Sequence, residues 1–325
     1  MSEKSSNGSV PLWRRQGARY YTLSAYFKQE FGGPVYKISV DAHFSCPNID
    51  GTVGRGGCVF CSAVSFSPSR RIGLEEIDAQ IDDGVERLQR RYNTDKFIAY
   101  FQPSTNTHAP LETLEKAYRT ALRHPEIVGL AIGTRPDALG DDVLDLLAEI
   151  AGEKWLSLEI GLQTSHDRTL KALNRGHDYA SFVDAVTRAK ARGLRLGTHL
   201  ILGLPGESRG DAVLTARRVA ALGLESVKLH NLYVVKDTAL ASMWQEGRVC
   251  LPSLEDYADL VVDALETLPP DMVVERVAGD APTEYLLAPE WCANKHTGRN
   301  AVDAALKRRD SWQGKYYDPN FAERL

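Results

Sequence analysis

Three of the five cysteines in this chain lie in one short stretch, residues 43–62, HFSCPNIDGTVGRGGCVFCS. Cys46, Cys58 and Cys61 follow the spacing C-x11-C-x2-C. Thiolates grouped this closely usually hold a metal ion or an iron–sulfur cluster. A structural zinc site closes its shell with four protein ligands. Three ligands therefore leave one coordination position open, and that position is where chemistry can occur. We call residues 43–62 the cluster loop.

The elements that position the cluster loop are short apolar strands separated by helices. The sequence predicts strands at 35–40, 97–101, 127–132, 155–162, 194–202 and 227–233, with helices between them. Such alternation indicates βαβ units and a parallel sheet. Six units are too few for a closed eightfold barrel. The sequence therefore predicts an α/β fold, a partial (β/α)6 barrel followed by a C-terminal α/β extension.

Polar residues end or follow these strands, where parallel α/β folds build their sites. They are Ser104, Thr105, Asn106 and Thr107 after the second strand, Arg135 after the third, Glu159 and Gln163 on the fourth, Arg175 beyond it, His199 on the fifth, Gly203 and Pro205 after it, and Lys228 and His230 on the sixth. Buried Glu, Gln, His and Lys are costly unless they are paired. A polar lumen therefore implies a polar ligand, such as an amino acid joined to a ribose. Taken singly, Asn106 and Arg135 could simply cap their loops.

The composition excludes several classes of protein. The chain has 325 residues and a net charge of −4, which excludes a globally basic nucleic-acid coat. No apolar run approaches the ~18 residues of a membrane span, and the N-terminus lacks the apolar core of a secretory signal. The isolated Cys250 and Cys292 make a poor disulfide framework, so we predict a cytoplasmic protein without a membrane partner.

Three regions are predicted along the chain. Residues 1–19 are expected to be disordered or flexible, residues 20–250 to form the partial barrel, and residues 251–325 to form the extension that closes the barrel mouth. Two segments, 13–28 and 307–317, mix basic and aromatic residues. Such a mixture can follow a phosphate backbone and stack on bases. The alternative is a solvated face with aromatic residues that cap the barrel.

The motifs SCPNIDGTVGRGGCVFC, FQPSTNT, GTRPD, EIGLQT, LNRGHD and HLILGLPGE together resemble the radical S-adenosylmethionine (SAM) enzymes. Within that superfamily the chain resembles the group of the Elongator catalytic subunit and, more narrowly, the YhcC/YtqA family. The resemblance covers about residues 20–310. The chain departs from the commonest cysteine spacing of the superfamily, C-x3-C-x2-C, and it lacks the Gly-Gly-Glu turn after the second strand.

The resemblance implies the cofactors and the residues that bind them. Cys46, Cys58 and Cys61 would each bind one iron of a 4Fe–4S cluster, whose fourth iron chelates SAM. Cleavage of SAM by an electron from the cluster would release a 5′-deoxyadenosyl radical that abstracts hydrogen from the substrate. The implied SAM contacts are Ser104, Thr105, Asn106, Thr107, Glu159, Gln163, Arg175, His199, Gly203 and Pro205. No residue is assigned a catalytic role.

The same resemblance points to a tRNA substrate, with the side chain of a modified wobble uridine remodelled from carboxymethylaminomethyl to aminomethyl. A flavodoxin- or ferredoxin-type protein would supply the electron. Arg276, Asp280 and Trp291 are candidate substrate contacts. The alternative substrate is a small molecule or a porphyrin.

Two further alternatives make the cysteines a binding site only. A zinc module would add a fourth ligand such as His43, and an iron–sulfur sensor or scaffold would bind a cluster without catalysis. Cys292 and His296 could ligate a second cluster, but a lone cysteine is more often a packed thiol. Cys250 is expected to be structural.

Overall fold

The computed structural model describes residues 10–324. Within this range the strands are β1 (Tyr36–Val40), β2 (Phe97–Phe101), β3 (Ile127–Thr134), β4 (Trp155–Gln163), β5 (Arg195–Leu202), β6 (Ser226–Asn231), β7 (Val234–Val235), β8 (Val273–Arg276) and β9 (Leu286–Ala288). Short 3₁₀ turns occupy Pro136–Ala138, Glu290–Ala293 and Phe321–Arg324.

The helices are α1 (Leu12–Arg15), α2 (Leu23–Phe31), α3 (Ala63–Phe66), α4 (Pro68–Ile72), α5 (Ile77–Tyr92), α6 (Leu111–Leu122), α7 (Asp141–Glu153), α8 (Asp167–Ala172), α9 (Tyr179–Ala191), α10 (Arg209–Ala221), α11 (Ala239–Gln245), α12 (Leu254–Thr267) and α13 (Thr297–Arg308). Their ends follow the local sequence. Thr22 caps α2 by accepting from the N–H of Ala25, and α2 ends at Gly32 in the left-handed conformation. Ser208 and Asp211 form a capping box at the start of α10.

The main sheet is parallel, with strand order β1-β2-β3-β4-β5-β6-β8. β1 and β8 are its edge strands, so the sheet is a curled, open barrel, as predicted. The seventh strand, β8, lies in the region predicted to be the C-terminal extension. It belongs to the main sheet because it pairs with β6. The strand–helix alternation therefore continues past residue 250, and the division of the chain there stays a prediction. β7 and β9 form a separate antiparallel pair.

The two faces of the sheet bury different side chains. The helix-facing side is apolar: Ile38 of β1, for example, packs so closely on α5 that a Cβ on Gly84 would lie 2.4 Å from it. On the lumen side, α2 covers the amino ends of the strands. Phe27 of α2 is buried and meets Trp155 of β4 edge to face, with ring centroids 5.6 Å apart. The lumen is thus open toward the carboxyl ends of the strands, where the cluster loop lies.

The predicted flexible segment, residues 1–19, is described only in part. Residues 1–9 lie outside the described residues, and among residues 10–19 only Trp13 is buried, so the flexibility of the segment stays a prediction. Trp13 on α1 is 4% exposed, and its Nε1 donates to Pro270 O at 2.9 Å. The polar composition of the N-terminus gave no indication of this contact. Among residues 10–324, no helix is long and apolar enough to cross a membrane.

Candidate active site

The cluster loop lies at the carboxyl edge of the sheet, directly after β1. The eleven residues between Cys46 and Cys58 fold back on themselves, and Gly57 N donates to Asn48 O at 2.9 Å. A Cβ on Gly54 would lie 2.4 Å from Asn48 Oδ1, so glycine is required at that close approach. The long gap therefore forms a compact turn that returns Cys58 to the neighbourhood of Cys46.

Two arginines reach the thiol of Cys58 from neighbouring strand ends. Arg175 Nη1 lies 3.3 Å from Cys58 Sγ, and Arg135 Nη1 lies 3.9 Å from the same sulfur. Burial, and then the charges of Cys58 and Cys46, raise the pKa of Cys61 to about 12. Negative charge on Cys58 and Cys46 therefore disfavours a thiolate at Cys61. Positive charge beside these thiols would offset that effect, which is what a metal centre supplies.

An iron–sulfur cluster and a single zinc ion place different demands on the thiols. Among the described residues, no three Cys, His, Asp or Glu side chains converge as the ligands of one ion do. A 4Fe–4S cluster binds each thiolate through a different iron, so its ligands need not converge on one point. His43, the fourth ligand of the zinc alternative, is exposed. The cluster therefore stays a prediction, and the zinc ion stays its alternative.

The turn at Ser104–Thr107 lies beside the cluster loop. Thr105 N donates to Ser45 O at 3.3 Å, which ties the turn to the residue before Cys46. Ser104 has a positive φ of 65°, so the chain reverses sharply there. Thr107 is fixed, because its hydroxyl contacts Thr134 Oγ1 at 2.5 Å. The turn is thus held rigidly between β1 and β3.

Two acceptors in this turn have no hydrogen-bond partner. Thr105 is fully buried and Asn106 is 1% exposed, yet Thr105 Oγ1 and Asn106 Oδ1 are unpartnered. The Asn106 amide nitrogen donates to Phe101 O and Gly133 O, both at 3.0 Å, which fixes the side chain. Buried acceptors are costly when unpaired. The SAM contacts predicted for Thr105 and Asn106 stay predictions.

The fourth strand end brings Gln163 and Arg175 to the same edge. Arg175 Nη2 donates to Gly161 O at 2.7 Å, and its Nε lies 3.2 Å from His177 Nε2. Burial, and then the Arg175 charge, lower the pKa of His177 to about 3, so the imidazole is neutral. Gln163 has a positive φ of 76° at the end of β4. Arg175 is thus engaged with the backbone and with Cys58 at once.

The turn after β5 is fixed by the C-terminal part of the chain. A Cβ on Gly203 would lie 2.7 Å from Pro252 Cγ, and Gly203 has a φ of 77°. Glycine at this position is therefore required by packing on Pro252. Pro205 is partly exposed in the same turn. The adenine contact predicted for Gly203 and Pro205 stays a prediction.

Below the turns, the lumen holds a network of charged side chains. Glu159 of β4 is 1% exposed and receives Lys37 Nζ at 2.5 Å, Lys228 Nζ at 2.6 Å and His199 Nε2 at 2.7 Å. Lys37 Nζ also contacts Glu275 Oε2 at 2.5 Å. Both Glu159 oxygens thus accept hydrogen bonds from side chains of the lumen. The predicted contact of Glu159 with SAM stays a prediction.

Sequence reasoning missed several members of this network. They are Lys37 of β1, Tyr100 of β2, Ser226 of β6 and Glu275 of β8, and Lys228 donates to Tyr100 OH at 2.9 Å. The alternation of β1 could have indicated that Lys37 faces the lumen. Glu275 could not be found in that way, because β8 was not assigned to the sheet.

The segment after β8 covers part of the barrel mouth. Gly279 N donates to Asn231 Oδ1 at 2.8 Å, and Asn231 Nδ2 lies 2.9 Å from Cys292 Sγ. Cys292 is fully buried, whereas His296 is exposed. The pair is therefore not arranged as the ligands of a second cluster. Cys250, expected to be structural, is exposed.

The candidate substrate contacts lie in the same segment. Arg276 and Asp280 are half-exposed and form a loose ion pair at 3.6 Å. Trp291 packs on Tyr257 with ring centroids 5.4 Å apart, and Trp291 Nε1 has no partner. Their role toward a substrate stays a prediction.

The two basic–aromatic segments come together, but at the far end of the barrel. Arg14 lies over the Trp312 ring at 3.7 Å, and Lys315 Nζ is 5.1 Å from the same ring. Gln313 Nε2 donates to Met272 O, just before β8 begins, so this surface lies at the amino ends of the strands. The cluster loop lies at the opposite ends. The arrangement supports the alternative of aromatic residues that cap the barrel.

Comparison with known proteins decides the family. The model of the radical SAM superfamily matches residues 50–219, and that of the Radical_SAM C-terminal domain matches residues 224–308. The first match spans more than half of the chain. The chain belongs to the radical SAM superfamily. The predicted superfamily, fold and enzyme class are thereby confirmed.

Among its curated relatives, this radical SAM protein is 40% identical to the uncharacterized protein YtqA of Bacillus subtilis over 299 residues, 92% of this chain and 93% of YtqA. The resemblance to the YhcC/YtqA family is therefore confirmed. A tRNA uridine(34) acetyltransferase of Dehalococcoides mccartyi is 29% identical over 164 residues, 50% of this chain and 35% of that protein.

A solved structure shares the fold of this radical SAM enzyme. The archaeal Elp3 of Methanocaldococcus infernus superposes with a TM-score of 0.65 at 18% identity, covering 86% of this chain and 64% of that one. At this identity the likeness concerns the fold alone.

Proposed function

We propose that Cys46, Cys58 and Cys61 hold a 4Fe–4S cluster and that SAM binds beside it. The observation that carries this proposal is that two arginines reach Cys58, while the turn bonded to Ser45 of the cluster loop holds the buried, unpartnered acceptors Thr105 Oγ1 and Asn106 Oδ1. When bound, the cluster and SAM supply a 5′-deoxyadenosyl radical. A flavodoxin- or ferredoxin-type protein of a reducing cytoplasm supplies the electron.

Individual residues have distinct parts in this proposal. Arg175 and Arg135 offset the charge of the Cys58 thiolate. Thr105 and Asn106 accept hydrogen bonds from the SAM ammonium, a role for which their unpartnered oxygens are suited. Ser104 and Thr107 hold that turn in place. Gln163, His199, Gly203 and Pro205 line the rest of the SAM site.

The substrate we propose is a tRNA with a modified wobble uridine. Relatives named as a tRNA uridine(34) acetyltransferase and as Elongator complex protein 3 support it, as partial and distant matches. The enzyme converts a carboxymethylaminomethyl side chain to aminomethyl. The bond between nitrogen and the carboxymethyl carbon breaks, water supplies the oxygen, and the two-carbon fragment leaves as glyoxylate. Of the two electrons that the side chain loses, one leaves with the abstracted hydrogen atom and one replaces the electron that the donor protein supplied. This two-electron oxidation therefore balances the two-electron cleavage of one SAM to methionine and 5′-deoxyadenosine.

A deletion strain tests the substrate. Wobble nucleosides of its tRNA, separated by liquid chromatography and mass spectrometry, should retain carboxymethylaminomethyluridine and lose aminomethyluridine and its derivatives. The wild-type gene should restore them, and a Cys58→Ala gene should not. Unchanged wobble uridines would reject the tRNA substrate and favour a small-molecule or porphyrin substrate.

The cofactor proposal has a separate test. Reconstituted wild-type protein should contain about four irons and four sulfides and should form 5′-deoxyadenosine from SAM with a strong reductant. A protein that binds the cluster but never forms 5′-deoxyadenosine would be the scaffold alternative.

A further inference from the structure

Glu159 is surrounded by three donors in the lumen. Lys37 Nζ reaches its Oε1, while Lys228 Nζ and His199 Nε2 reach its Oε2. Burial would raise the pKa of Glu159, but the charges of Lys228 and Lys37 outweigh it and hold that pKa well below 4.5. Glu159 is therefore a carboxylate near neutral pH, and a carboxylate can only accept hydrogen bonds.

The ionised state of Glu159 determines which ring nitrogen of His199 carries the proton. Since Glu159 can only accept, His199 Nε2 must be the donor across the 2.7 Å contact. Burial, and then the charge of Lys228, lower the pKa of His199, so the ring is neutral near pH 7. In a neutral imidazole whose Nε2 carries the proton, Nδ1 is an acceptor.

The free nitrogen of His199 is turned away from Glu159. Among the described residues, no side chain or backbone group forms a hydrogen bond with His199 Nδ1. The imidazole keeps 19% of its surface exposed, and its ring centroid is 5.7 Å from that of His230. His199 is also on the strand that leads to the turn at Gly203, at the carboxyl edge of the barrel.

We propose that Glu159, held between Lys37 and Lys228, is a positioning residue that fixes His199 with its proton on Nε2, so that Nδ1 accepts a hydrogen bond from a ligand in the lumen. The ligand group is a hydroxyl or an N–H. It comes either from the ribose of SAM or from the substrate side chain. This assignment of the ligand rests on the proposed function, whereas the tautomer does not.

The tautomer can be observed directly. Long-range ¹H–¹⁵N correlation spectra of the full chain with ¹⁵N-labelled histidine distinguish the two ring nitrogens, and a His199→Gln variant assigns the resonance. We expect a protonated Nε2 and an unprotonated Nδ1 at pH 7. A proton on Nδ1, or a doubly protonated ring, would overturn the proposal.

A variant tests the role of Glu159. In Glu159→Gln the carboxamide can donate as well as accept, so the Nδ1-protonated tautomer of His199 should become populated. Glu126→Gln is the matched control, because Glu126 Oε2 is also buried but is unpartnered and distant in the fold. It should leave the His199 resonances unchanged. An unaltered tautomer in folded Glu159→Gln would contradict the positioning role. If that variant does not fold, the wild-type spectrum still decides.

Binding and turnover distinguish the two sources of the donor. In His199→Leu, SAM binding to the reconstituted protein should weaken about tenfold if the ribose is the donor. If the substrate is the donor, SAM binding should persist and kcat/KM for tRNA should fall about tenfold. Either result supports the role of His199 Nδ1 as an acceptor. An unchanged SAM affinity together with an unchanged kcat/KM for tRNA would refute it. His296→Leu, at an exposed position, should alter neither. Should the wild type show no tRNA activity at all, the proposed substrate fails, and the spectra still test the tautomer of His199 and the role of Glu159.

Discussion

Lys37 Nζ lies 2.5 Å from Glu275 Oε2, and this contact joins β1 and β8, the two edge strands of the open sheet. Both side chains are nearly buried, at 14% and 4% exposure. Beside it, Val274 N donates to Tyr21 O at 2.7 Å. The first strand carries the cluster loop and the last leads into the segment over the mouth. The ion pair therefore connects both sides of the site through the lumen.

Breaking this contact should destabilise the protein. In Lys37→Met, Lys228 is the one lysine left to pair with the two buried carboxylates, Glu159 and Glu275. Because a buried charge without its partner is costly, we expect a loss of about 3 kcal/mol in the free energy of unfolding. Urea denaturation followed by circular dichroism measures it. Arg90→Met, which removes an exposed helix pair with Glu86, serves as the control and should change little. Equal losses in both variants would contradict the role of the buried network.

Arg175 should be needed to retain the cluster. Arg175→Met removes the guanidinium 3.3 Å from Cys58 Sγ and its bond to Gly161 O. We expect at least a halving of iron and sulfide content after reconstitution, because a buried thiolate loses its cation. Arg168→Met, at a largely exposed position, is the control. Full cluster content in Arg175→Met would show that the arginine serves another purpose.

Thr105 and Thr107 should respond differently to loss of their hydroxyls. Thr105→Val removes an unpartnered buried oxygen, so stability should be kept or should rise by about 1 kcal/mol, while SAM binding falls about tenfold. Thr107→Val breaks bonds to Thr134 and Ala138, so stability should fall by about 1–2 kcal/mol. Calorimetric titration and thermal unfolding check both. Unchanged SAM affinity in Thr105→Val would place the ammonium elsewhere.

Acid should destabilise the fold through its buried histidines. Burial, and then Arg276, lower the pKa of His230 well below 6.5. The unfolded chain therefore binds a proton below pH 6.5 that the folded chain does not, and stability falls as pH decreases from 6.5 toward the folded pKa. Each such histidine contributes up to about 1.4 kcal/mol per pH unit.

Unfolding curves between pH 7 and pH 5 measure this slope. His230→Gln should reduce the slope of the unfolding free energy against pH by the contribution of one bound proton. His296→Gln, at an exposed position, should leave that slope unchanged. An identical slope in wild type and His230→Gln would mean that the imidazole titrates normally in the folded state.

The sequence was sufficient for the parts of the fold that depend on local patterns. The strands at 97–101 and 127–132 depend on periodicity, and they appear with the same or nearly the same bounds. The cluster loop was also evident, because three cysteines within sixteen positions are rare. Its predicted ligands stay predictions, although the structure brings them to one edge.

Long-range relations could not be read from local patterns. The pairing of β6 with β8 brings Glu275 to Lys37, across 238 residues of chain. A four-residue strand is too short to show that it belongs to a sheet. In the same way, the polar N-terminus gave no indication that Trp13 is buried against Pro270. The basic–aromatic segments were visible, but their position at the far end of the barrel was not.

The most direct test is stoichiometry with purified components. Reconstituted protein, SAM, a reductant and tRNA bearing carboxymethylaminomethyluridine should yield one 5′-deoxyadenosine and one glyoxylate for each aminomethyluridine formed. Cys58→Ala protein should yield none of the three. Formation of 5′-deoxyadenosine without any change in the tRNA would contradict the proposed substrate, and aminomethyluridine formed without 5′-deoxyadenosine would contradict the proposed chemistry.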